Sequence, residues 1–161
     1  MNKTSSIRCY DYVNHPFEQV RQVLTTRSNE VFHRATRSAE TRAGNVAAGL
    51  HVTIAGIEIG KEILISVKVC PDSETNRKNE LEIALEWKAA TAPRLFPVME
   101  AKLLVYPITT TETQLDFQGE YEPPMGMVGK ALDAIVGRKI AEATVHHFVT
   151  EVADYLRKNI T

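Results

Sequence analysis

Long apolar runs are missing from this chain: nowhere do the roughly twenty apolar residues of a membrane-spanning helix occur together. The opening residues Met1–Ser6 carry no apolar leader core, so neither secretion nor membrane insertion is expected, and the cytoplasm is the expected compartment. Without a leader, the glycosylation pattern Asn2-Lys3-Thr4 has no weight. Cysteine is scarce, with only Cys9 and Cys70, both in apolar, strand-like runs. No basic or helix-N-terminal context is there to lower a thiol pKa. Buried free thiols are expected, with a disulfide or a reactive thiol as the alternatives. A surplus of either charge is absent too. The net charge is −1, which removes any global electrostatic case for nucleic acid or anionic membrane as a partner. Arg21, Arg27, Arg34, Arg37 and Arg42 are locally dense and read as a solvated helical face.

Signatures of nucleotide, hydrolase and metal chemistry are absent as well. The chain contains neither Gly-x-Gly-x-x-Gly nor Gly-x-Ser-x-Gly. Gly126-Met-Val-Gly129-Lys130-Ala131 falls short of a phosphate loop, because its glycines are three apart and Ala131 stands where a hydroxyl is needed. His15, His33 and His51 are scattered without ligand spacing. His146 and His147 point about 100° apart on a helix and cannot share a metal. Glu142 with His146, and His147 with Glu151, are i,i+4 pairs that read as surface ion pairs. No metal and no cofactor is expected.

What is present is periodicity. At 161 residues the chain is expected to form one domain over 1–161, long enough to bury roughly 70% of its unfolded surface. Ile7, Cys9 and Val13 alternate with Tyr10 and Tyr12 in a strand over 5–13. Asn14 suits a helix cap and Pro16 a first turn; Phe17, Val20 and Leu24 then mark a short helix over 15–25. Val31, Phe32 and Ala35 mark a second helix after Ser28, and the small, polar stretch 37–48 reads as a loop. From Leu50 the period is two, with a parity break at Gly56 that reads as a bulge in a curved sheet. Strands follow at Ile63–Val69, at Leu81–Trp87 opposite Glu80, Glu82 and Glu86, at Met99–Val105, and at Leu115–Tyr121. The charged residues of these strands, Asp116 among them, are expected to face water. Asp11 shares the apolar parity, so it needs a partner or a place at the solvated end of its strand.

Locally joined strands are antiparallel neighbours, and each here has one apolar face that needs a cover. The cover is the C-terminal helix. A straight helix over 125–158 would run about 50 Å, against about 40 Å for a compact domain of this size. Its apolar stripe also changes phase, from Val128, Leu132 and Ile135 to Ala141, Val145, Phe148, Val152 and Leu156. A bend near Gly137 is therefore expected. The class is α+β.

Tyr121-Glu-Pro-Pro-Met-Gly-Met-Val-Gly-Lys-Ala-Leu-Asp133, after a strand and opening a long terminal helix, resembles the START/Bet v 1-like (SRPBCC) superfamily, and is most similar to its polyketide cyclase/dehydrase-like branch. The first strand and Asn14-His-Pro-Phe-Glu-Gln-Val20 fit the same pattern. The resemblance implies a helix-grip fold: a curved antiparallel sheet of about six or seven strands around the C-terminal helix, two short helices after the first strand, and an internal cavity. It carries over no catalytic residue, since the superfamily shares no catalytic motif.

The expected function is binding of a small hydrophobic or aromatic molecule between sheet and helix. Leu85, Trp87, Met99, Leu103, Leu115, Phe117, Val128, Leu132 and Ile135 are the candidate lining, with plain core packing as the alternative for each. Arg94 and Arg138 are candidates for the cavity mouth, where they would anchor an acidic group; plain solvent exposure is the alternative. Two other readings stay open: a cyclase or dehydratase enzyme using a buried acid or histidine, and an interaction protein of the co-chaperone or antitoxin type.

Overall fold

The structure, a computed structural model, describes residues 5–49, 63–69, 79–89, 98–122 and 134–160. Strand β1 (Ser5–Val13) is followed by helices α1 (Phe17–Thr26) and α2 (Ser28–Gly49). Strands β2 (Ile63–Val69), β3 (Leu81–Ala89), β4 (Val98–Pro107) and β5 (Thr113–Glu122) come next, and helix α3 (Ala134–Asn159) closes the order. The strands form one antiparallel sheet in the order β1-β5-β4-β3-β2. This is the expected α+β helix-grip arrangement. The described strands number five, where about six or seven were expected; the strand segments read over Leu50–Ile59 lie outside the described residues.

Three local expectations are corrected. Residues 37–48 are helix, so the second of the two helices runs 22 residues and is not short. The missed signal is a stripe of small side chains: Ala35, Thr36 and Ala39 continue the line of Val31 and Phe32 at helical spacing, and all five are buried. Small residues let α2 lie close against α3, where Ser38 Oγ and His147 Nε2 sit 2.7 Å apart and Glu151 lies 3.6 Å from the same nitrogen. Second, α1 is capped by Pro16, not Asn14: the Gln19 and Val20 amides donate to the Pro16 carbonyl, and no side chain caps the end. Third, Asp116 does not face water. It is on the outward parity, yet only 2% exposed, because Arg8 and Gln118 close over its carboxylate.

The inward parity of the sheet packs against the helices. Phe17, Val20 and Leu24 of α1 are buried, as are Ala141, Val145, Phe148, Val152 and Leu156 of α3, the stripe that the spacing predicts. Gly137 lies within the first turn of α3, so the segment on the N-terminal side of the expected bend falls largely outside the described residues. The C-terminal end of α3 is fastened to the first strand. Arg157 donates to Asp11 Oδ1 (3.0 Å), to the Tyr12 carbonyl (2.7 Å) and to Asp154 (2.8 Å). Asp11 thus has both a partner and a place near the solvated end of β1.

Candidate functional site

The inner face of the sheet is ordered in rows set by the register. One row is Tyr121–Met99–Trp87, and another is Cys9–Phe117–Leu103–Ile83. Between them lies Ile7–Gly119–Ala101–Leu85–Val67, which has the two smallest side chains at its centre. Strand alternation forces all three rows onto the same face. Large residues therefore flank a central dip.

The dip is occupied by its neighbours. A Cβ on Gly119 would sit 3.0 Å from Phe117 Cε1, 3.2 Å from Ala101 Cβ and 3.2 Å from Met99 Sδ. The Phe117 ring belongs to a cluster reaching across to both helices. Trp87 stands edge-on to Phe148 at 4.9 Å and tilted to Phe117 at 5.7 Å, while Phe148 contacts Phe117 at 6.0 Å and Phe32 at 6.2 Å. Aromatic pairs in these offset and edge geometries add to their burial. The one polar atom of the Trp87 ring is satisfied, since Nε1 donates to Thr36 Oγ1 at 3.0 Å.

The structure thus brings Leu85, Trp87, Met99, Leu103, Leu115 and Phe117 onto one buried surface. Leu115 sits one row beyond Phe117, toward the β4–β5 turn, beside Val105. Ile135 is in the first turn of α3; nothing of its side chain is described. Val128, Leu132 and Arg94 lie outside the described residues. Arg138 is exposed and donates to Glu142 at 2.8 Å; hydrogen bonding to that carboxylate raises its pKa. These two residues and His146 line a cleft of about 310 Å³ against Ser6–Cys9 of β1. The sequence reading found Arg138 but not the cleft, which depends on α3 running beside the first strand.

A larger cleft of about 910 Å³ lies on the other side of the sheet. Its lining comprises the outward rows Ser6–Glu120–Glu100–Glu86 and Arg8–Gln118–Lys102–Ala84–Lys68, together with the inward row between them, which presents its backbone there. Of the candidate lining residues whose side chains are described, only Leu85 borders it.

Titratable groups are few on the inner face. Burial, with the Asp11 carboxylate adding to it, pushes the Cys9 thiol above its ordinary range. Cys9 is free, and the thiolate is the reactive form. Iodoacetamide at neutral pH is therefore expected to alkylate Cys9 at least about tenfold more slowly than a small free thiol, read by mass spectrometry of the digested protein; equal rates would contradict the assignment. Among the described residues no group of three His, Cys, Asp or Glu side chains is placed to hold a metal ion. No described helix is long and apolar enough to cross a membrane.

Neither a protein-family model nor a curated protein sequence matches the chain. Solved structures do. The Zhui aromatase/cyclase from Streptomyces sp. R1128 superposes with a TM-score of 0.50 at 16% identity, over 99% of this chain and 97% of that one. The match shows the fold, the helix-grip arrangement that the START/Bet v 1-like resemblance implies. Other matches include a conserved protein from Geobacillus kaustophilus (TM-score 0.48, 11% identity, 96% of each chain). A point mutant of Thalictrum flavum norcoclaurine synthase, in complex with a transition state analogue, matches at TM-score 0.47 and 13% identity, over 99% of this chain and 98% of that one.

Proposed function

We propose that this protein, as a single domain over 1–161, encloses a small apolar or aromatic molecule against the inner face of its sheet. The observation that carries the reading is the side-by-side placement of Gly119 and Ala101 at the centre of a face otherwise set with Tyr121, Met99, Trp87, Phe117 and Leu103. A flat guest fits over such a dip, with aromatic rings at its edges. Met99 is the adaptable group: its thioether lies over Gly119 and can swing aside at small cost, whereas the Phe117 ring is held by Trp87 and Phe148. Leu85, Leu103 and Leu115 supply further apolar wall. Val128, Leu132 and Ile135 are proposed as its roof, with Arg94 and Arg138 at the mouth.

Trp87 is the only tryptophan, so its emission reports on this face alone. Titration with flavonoids, naphthols and fatty acids is expected to give a saturable change in Trp87 emission with at least one class. At a ligand concentration a hundredfold above Kd, the Tm should rise by about 5–10 °C. Ala101→Leu, which crowds the dip further and stops Met99 from yielding to a guest, should weaken that binding by about tenfold or more while leaving the far-ultraviolet circular dichroism unchanged. A flat response across the panel would reject the reading. The cyclase or dehydratase reading has less support. Among the described residues, the inner rows offer Tyr121, Cys9 and Asp11 as titratable groups, and Asp11 is tied to Arg157.

A further inference from the structure

The described residues expose three large apolar side chains, each about half exposed and all at one end of the sheet: Tyr10 and Tyr12 on the outer face of β1, and Ile108 in the turn just after β4. Half-buried Leu104 and Tyr106 join them, because Tyr10–Asp116–Leu104 and Tyr12–Gln114–Tyr106 are successive outward rows. Elsewhere this face is largely charged. The patch is also held rigid. Arg8 donates Nε and Nη2 to the Asp116 carboxylate (3.3 and 3.1 Å), and Gln118 Nε2 donates to the same group at 3.1 Å. So anchored, the guanidinium lies 4.9 Å from the centre of the Tyr10 ring. A preorganised cluster of tyrosine, arginine and aliphatic side chains has the composition of an interface core, not of a solvated sheet.

We infer that this face binds a second copy of the chain, sheet against sheet, about a two-fold axis running along the Tyr10–Asp116–Leu104 row. The register selects that occupant. A two-fold axis lying in the face and crossing the strands places each row opposite the row equally far on its other side. The Tyr12–Gln114–Tyr106 row then meets the Arg8–Gln118–Lys102 row of the second copy, strand for strand. Tyr12 faces Arg8 and Tyr106 faces Lys102, and symmetry doubles both cation–π contacts. Tyr10 and Leu104 pack on their own counterparts along the axis, and the Asp116 and Glu82 carboxylates of the same row, which also meet their counterparts, are each paired within their own copy, with Arg8 and Lys102. An axis one row over, along Arg8–Gln118–Lys102, would set lysine against lysine. Facing sheets of this kind pack about 10 Å apart, and the small footprint implies a dimer in the micromolar range.

Sedimentation velocity over a wide protein concentration range is the test. A concentration-dependent dimer is expected, and Tyr12→Ala should weaken it by about tenfold or more without changing the circular dichroism. In a Cys9→Ser, Cys70→Ser background, Tyr10→Cys should be joined to its counterpart by a short bismaleimide, which spans facing sheets about 10 Å apart where a disulfide cannot. Ser6→Cys, on the same face but two outward rows from the axis, should not. A monomer at every concentration overturns the inference. So does a dimer that ignores Tyr12→Ala or that Ser6→Cys cross-links as readily as Tyr10→Cys. The unmodified chain and Tyr12→Ala need no cysteine replacement, so the answer does not depend on the cysteine-free background folding.

Discussion

Phe148→Ala is expected to destabilise the protein by about 3–5 kcal/mol, lowering Tm by about 10 °C or more. Phe148 is 1% exposed and touches Phe32 on α2, Trp87 on β3 and Phe117 on β5. Its removal takes away the ring through which one helix holds the other helix and two strands. The surrounding groups cannot collapse into the space, because Trp87 is pinned by its bond to Thr36 and Phe117 by the backbone of a central strand. Both the transfer contribution and the cavity contribution are therefore lost in full. Urea unfolding followed by Trp87 emission measures the difference directly. A loss under about 1 kcal/mol would mean that the cluster is loosely packed, contrary to its geometry.

Gly119→Val is expected to cost about 2–3 kcal/mol by the opposite route, overpacking. The new Cβ alone would lie 3.0–3.2 Å from Phe117, Ala101 and Met99, and the two added methyl groups need room of their own. Met99 can yield; the Ala101 Cβ is fixed to its strand and Phe117 is wedged against two rings. Gly119→Ala should be milder, since it adds the Cβ without the two methyl groups and the Met99 sulfur can move away from it. Thermal unfolding of the two variants gives the ranking, with valine well below alanine. A valine variant as stable as the parent would show that the dip is empty. That outcome would leave the proposed ligand site standing, but its stability role would fall.

Much of the fold was legible because strand alternation and helix spacing are local signals. Ile83, Leu85 and Trp87 against Glu82 and Glu86 announce a half-buried strand from the residues alone, and the register only aligns what each strand already states. Residues 37–48 misled because polarity was taken for a loop, when Ala39, one turn on from Ala35 and Thr36, was continuing the buried face of a close helix contact. Asp116 misled for a related reason. Parity tells which face a side chain is on, but not whether Arg8, 108 positions away, folds over it. The candidate site was legible as a surface and not as a shape. Which of Leu85, Trp87, Met99 and Phe117 touch one another depends on rows assembled from several strands. The side-by-side pairing of Gly119 with Ala101 cannot be read from either strand by itself.

The first strand bonds to the last one described and, among the described residues, to no other. During synthesis that opening segment must wait for more than a hundred further residues before β5, its partner among the described residues, has been made, which at ~5–20 residues per second is on the order of ten seconds. Through that interval the nascent chain carries Ile7, Cys9 and Val13 without their partner strand. Slowing translation should therefore lengthen the time that the first strand spends unpaired with the last, not shorten it.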